Sequence, residues 1–165
     1  MSRILIAGLG NIFFGDDGFG VAVARRLSTR QLPAGVKVME LGIRGFDLAY
    51  ALLDPYDVII LVDAAQRGMA PGTIQVLEPA LDDVDNIELP QTHGMIPSRA
   101  LQMARAMGAQ FKVLRIVCCE PASLEPMADG SLQLTPLVAA GVDEALAVIQ
   151  TLIQQTLPEP CTNLE

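Results

Sequence analysis

Basic side chains are scarce in this chain: 11 lysines and arginines stand against 19 aspartates and glutamates, for a net charge of −8. Such a surface repels phosphate backbones, so nucleic acid is not an expected partner. Cysteines are few, three in 165 residues. Cys118 and Cys119 are adjacent and Cys161 stands apart, so there is no spaced framework, and an odd count suits a reducing compartment. Histidine is rarer still, with His93 alone. Long hydrophobic runs are missing too. Ile4-Leu5-Ile6-Ala7 is too short for an export signal, and no stretch reads as bilayer-spanning. These absences predict a cytoplasmic protein with no membrane partner.

What remains is a core-forming sequence. It is 51% hydrophobic with little low-complexity sequence, long enough to bury a core without disulfides. Its length fits one domain over residues 1–157, followed by a flexible tail over 158–165 that carries Pro158 and Pro160. Apolar runs predict strands over 3–7, 36–41, 58–62, 73–77 and 112–118. The run Val58-Ile59-Ile60-Leu61-Val62 is continuous and mostly β-branched, as in a central parallel strand. Helical spacing predicts helices over 16–29, 46–53 and 97–107, with Gly108 ending the last. A longer helix runs to about 155, with Thr135 as its N-cap and Pro136 in its first turn. Strands alternating with helices give an α/β fold: three layers, a mostly parallel twisted sheet with helices on both faces.

In such sheets ligands bind beyond the carboxyl ends of the strands. Three features fall there or in loops that reach it. The first is the stretch from Gly8-Leu9-Gly10-Asn11 to Asp16-Asp17-Gly18. As a dinucleotide fingerprint, with Glu40 as the ribose-binding acid, it fails because Phe13 occupies a glycine position. Two carboxylates at a helix N-terminus also repel a phosphate and invite a cation. Asp16 alone reads as the cap of the following helix. The second is Asp63, after the apolar strand, where a carboxylate must be hydrogen-bonded, used as a cap or bound to metal. The third is His93, ahead of a helix whose N-terminus favours the neutral, metal-ligating imidazole; as a lone histidine it can equally be incidental. Together Asp17, Asp63 and His93 suit a borderline divalent metal such as nickel or zinc. Cys118 and Cys119 read as buried free thiols facing opposite sides of a strand. Arg44 reads either as a surface arginine or as a contact for a substrate carboxylate or carbonyl.

These residues resemble the hydrogenase maturation endopeptidases. The resemblance runs from Gly8-Leu9-Gly10-Asn11 and Asp16-Asp17-Gly18 through Val62-Asp63-Ala64, Pro71-Gly72-Thr73 and Thr92-His93. It ends near Glu120-Pro121 and Ser123-Leu124-Glu125-Pro126. It implies a twisted sheet between helices and an endopeptidase that trims the C-terminal extension from the large-subunit precursor of a nickel–iron hydrogenase. The implied metal-binding and catalytic residues are Asp17, Asp63 and His93. The implied metal is nickel, already inserted in the precursor. One departure is Glu40-Leu41-Gly42, where relatives often carry Asp-Gly-Gly. No serine, cysteine or HExxH protease motif is present; a Lewis acid that polarises a carbonyl and activates water is one source of the chemistry. A non-catalytic nickel carrier using the same ligands is the competing expectation.

Overall fold

A computed structural model describes residues 1–86 and 97–157. The sheet is built from β1 (Ile4–Leu9), β2 (Val36–Gly42), β3 (Val58–Ala64), β4 (Ile74–Leu77) and β5 (Val113–Cys119). Their spatial order is β2-β1-β3-β5-β4. All neighbours pair in parallel except β4, which lies antiparallel on the edge beside β5. Every residue of β1 and β3 is buried, as expected of strands covered on both faces.

The helices are α1 (Phe19–Ser28), α2 (Gly45–Ala51), α3 (Pro97–Ala106) and α4 (Pro136–Thr156). The period-2 alternation of the strands divides the core between them. Ile4, Ile6, Ile60, Val62, Val117 and Cys119 pack against α1 and α4. Leu5, Ala7, Ile59, Leu61, Ile116 and Cys118 pack against α2 and α3. The predicted three-layer α/β architecture is therefore the observed one.

Several local expectations shift. The single helix expected over 16–29 is two pieces: a 3₁₀ turn over Gly15–Gly18, then α1. The break follows from Asp16 and Asp17, both buried in the turn and both committed to partners other than the N-terminus of α1. β3 runs on to Ala64, so Asp63 lies inside the strand. A second 3₁₀ turn, Leu81–Asn86, has no counterpart in the sequence pattern. α4 corrects the expectation that no segment reaches bilayer length: its 21 residues are long and apolar enough. Its apolarity is used in the core, where Val138, Ala145, Leu146 and Ile149 lie buried against the sheet. The proposed tail over 158–165 lies outside the described residues.

Candidate active site at the carboxyl edge of the sheet

The chain leaves β1 through Gly10, whose φ of +115° favours glycine. Space demands glycine as well: a Cβ here would overlap the Asp17 carbonyl oxygen and stand 3.2 Å from Asp63 Oδ1. The Asp17 backbone and the Asp63 carboxylate thus both close on Gly10, and the two side chains are near enough for the Asp17 charge to act on Asp63. The loop between them folds on itself. Asn11 donates its N–H to Asp17 Oδ2 at 2.7 Å, and its own Oδ1 accepts the Phe13 N–H at 3.0 Å, an Asx turn. The Phe14 carbonyl then accepts the Asp17 N–H at 3.1 Å. The position of the Asp17 carboxylate is therefore fixed by the backbone around it.

Asp63 arrives from the neighbouring strand. It is 4% exposed and accepts the N–H of Ala64 on Oδ1 at 2.8 Å. Burial pushes its pKa well above the ordinary carboxylate range, and the nearby Asp17 charge pushes it further. The Ala64 N–H opposes both without offsetting them. Two carboxylates held this way repel each other and resist ionising together. A cation between them would relieve both costs. The donor chemistry, two hard oxygen ligands with other positions open, fits a divalent metal.

The third predicted ligand, His93, lies outside the described residues. Among the described residues no group of three potential ligands comes together; Asp17 and Asp63 are the pair the fold assembles.

Asp16 does something its sequence context does not reveal. It does not cap α1. Fully buried, it accepts the backbone N–H groups of Ala122 and Ser123 on Oδ2 at 2.9 and 3.0 Å, and that of Thr135 on Oδ1 at 2.7 Å. The Thr135 hydroxyl also donates to this carboxylate, at 2.8 Å to Oδ2. Thr135 occupies the N-cap position of α4, yet its side chain makes no cap bond of its own; Asp16 supplies the negative charge there. One carboxylate thus ties the loop after β1 to the loop after β5 and to the start of α4.

The remaining candidates resolve simply. Glu40 is paired with Arg25 through two hydrogen bonds, 2.7 and 3.0 Å, and this guanidinium holds its carboxyl below the usual range. It is thereby committed to a partner within the protein, which removes the ribose-binding role. Arg44 is largely exposed and turns back on its own loop, donating to the Glu40 carbonyl at 2.5 Å and pairing with Asp47 at 3.3 Å. Cys118 and Cys119 are buried free thiols on opposite faces of the sheet. Burial pushes Cys119 up to about 12 and raises Cys118, so neither supplies a thiolate nucleophile at neutral pH. Glu120, largely buried, accepts the Arg67 N–H at 2.7 Å and so anchors the segment that follows Asp63. Its isolation in the sequence carries no local sign of this role.

The sequence and the fold match one class of enzyme. A family profile described as Hydrogenase maturation protease matches residues 21–152. Hydrogenase 2 maturation protease of Escherichia coli (strain K12) is 31% identical over 159 residues, covering 93% of this chain and 92% of that protein. Hydrogenase expression/formation protein HupD of Rhodobacter capsulatus is 32% identical over 150 residues, 88% of this chain and 68% of that one. The solved structure of the hydrogenase maturating endopeptidase HybD from E. coli superimposes with a TM-score of 0.79 at 30% identity, covering 93% of each chain. The chain belongs to the hydrogenase maturation protease family. It is a peptidase acting in hydrogenase maturation.

Proposed function

We propose that the substrate is a nickel-loaded hydrogenase large-subunit precursor, and that the protein removes its C-terminal extension after recognising the metal. The observation that carries this reading is the convergence of buried Asp17 and Asp63 on Gly10 at the carboxyl edge of the sheet. The nickel belongs to the substrate. Asp17, Asp63 and His93 would hold it, with the precursor supplying the remaining ligands. A polarised peptide carbonyl and an activated water are what such a metal contributes. Asp17, fixed by the Asn11 N–H, and Asp63, fixed by the Ala64 N–H, provide a preformed grip. The reduced pair Cys118 and Cys119 suits a cytoplasmic site of action.

The carrier alternative gives way to family membership, which assigns peptidase activity. The test is the mass of purified large-subunit precursor before and after incubation with this protein. Nickel-loaded precursor is expected to lose its C-terminal extension and nickel-free precursor to stay intact. Equal cleavage of both would reject metal recognition; cleavage of neither would reject the substrate.

A further inference from the structure

A stripe of exposed apolar side chains leads away from the acidic pair. Phe46 and Tyr50 lie one turn apart on α2, Ile43 and Leu53 flank the helix at either end, and Phe13 stands in the loop after β1. All five are between 41% and 64% exposed. They are not the core-facing side of α2, since Leu48, Ala49 and Leu52 fill that role. Phe13 and Ile43 share a cavity of about 250 Å³ with Gly10, Asn11 and Arg44. Asn11 is the residue that fixes Asp17, so the stripe begins where the acidic pair is built. Beside it, Arg44 and Asp47 pair with each other at 3.3 Å, so the flanking charges offset one another.

We infer that this stripe is the surface on which the enzyme docks an apolar face of its protein substrate. This rests on the precursor being the substrate, as proposed above. The area favours a substrate over a permanent partner. Together the five side chains expose on the order of 500 Å², below the roughly 800 Å² per subunit that a stable dimer buries. An enzyme that releases its product needs a contact of this transient size. Continuity with the site favours the substrate over a second copy, because Phe13 and Ile43 line the same cavity as Gly10 and Asn11.

The test is the variant Phe46→Glu/Tyr50→Glu, assayed with the nickel-loaded precursor beside wild type and Met107→Glu. Met107 is an exposed apolar residue just past the end of α3, outside the stripe. The expected result is a KM raised tenfold or more in the double variant with kcat changed less than twofold. Melting temperature should be unchanged, and Met107→Glu should behave as wild type. An unchanged KM in the double variant overturns the inference while wild-type cleavage leaves the substrate assignment standing. Sedimentation of the free proteins provides the other arm. A wild-type dimer that becomes monomeric in the double variant would assign the stripe to a second copy and also overturn it.

Discussion

Replacing Asp16 with alanine removes one acceptor and leaves several donors without one. The backbone N–H groups of Ala122, Ser123 and Thr135 and the Thr135 hydroxyl all lose their partner. A buried donor left unsatisfied costs about 1–3 kcal/mol. These donors are partly buried, so water recovers some of that and about 1 kcal/mol each is the fair figure. Loss of negative charge at the α4 N-terminus adds roughly 0.3–1 kcal/mol. The expected destabilisation is about 3–5 kcal/mol, well beyond the roughly 0.5–2 kcal/mol of an ordinary cap. For a chain of this size that is a fall of roughly 10–15 °C in Tm. Asp16→Asn should lose about half as much, since its single oxygen serves one side of the network while its NH₂ faces donors on the other. Thermal melts and urea titrations followed by circular dichroism measure both variants. A loss near 1 kcal/mol in Asp16→Ala would refute the clamp.

Asp17→Asn is expected to fold, with processing of nickel-loaded precursor lost in a mass assay; retained cleavage would remove Asp17 from the site. His93→Ala should lose processing while keeping a wild-type circular dichroism spectrum, and wild-type activity should fall as pH drops through the imidazole pKa, about 6.5 when unperturbed. For Asp63→Asn the sign follows from a folded-state pKa raised above the unfolded value: the protonated carboxyl stabilises the fold at low pH, and that benefit is lost as pH rises through the folded pKa. The variant keeps an oxygen for the Ala64 N–H, so its Tm should match or exceed that of metal-free wild type, with the gap widening as pH rises, while processing is abolished. Cys119, pushed up to about 12 from an ordinary 9.0, makes wild type lose stability relative to Cys119→Ala as pH rises from 9 towards 12. The loss is at most about 1.4 kcal/mol for each pH step of one crossed in that window; parallel urea midpoints across the range would contradict it.

Much of the architecture was legible because its signals are local. The β-branched run from Val58 marks a strand buried on both faces, and Asp63 stands out only because a carboxylate interrupts that pattern. Gly108, with φ of +95°, closes α3 as a glycine after a helix should. What was not legible is non-local. Asp16 carries the local signature of a helix cap, but its donors lie 106 to 119 residues away, and nothing in its neighbourhood distinguishes the two uses. The antiparallel direction of β4 is equally hidden, because a four-residue, partly exposed edge strand reads the same either way. The acidic pair was legible as two residues. That they meet at Gly10 depends on β1 and β3 lying side by side.

The neighbouring aspartates divide structure from chemistry by geometry alone. In a 3₁₀ turn, successive side chains diverge by about 120°. Asp16 therefore points to the β5–α4 connection while Asp17 faces the Asn11 N–H and the Asp63 side of the loop. Because they share one rigid turn, the clamp also sets where Asp17 sits, so Asp16→Ala should impair processing as well as folding. The two contributions separate with temperature. Well below its own Tm, Asp16→Ala should recover a measurable part of wild-type processing, since its acidic pair is intact, whereas Asp17→Asn should recover none at any temperature. Processing assayed over a temperature series, beside circular dichroism on the same samples, decides the matter. If the two variants lost activity alike while both were fully folded, Asp16 would belong to the chemistry and the division would be wrong.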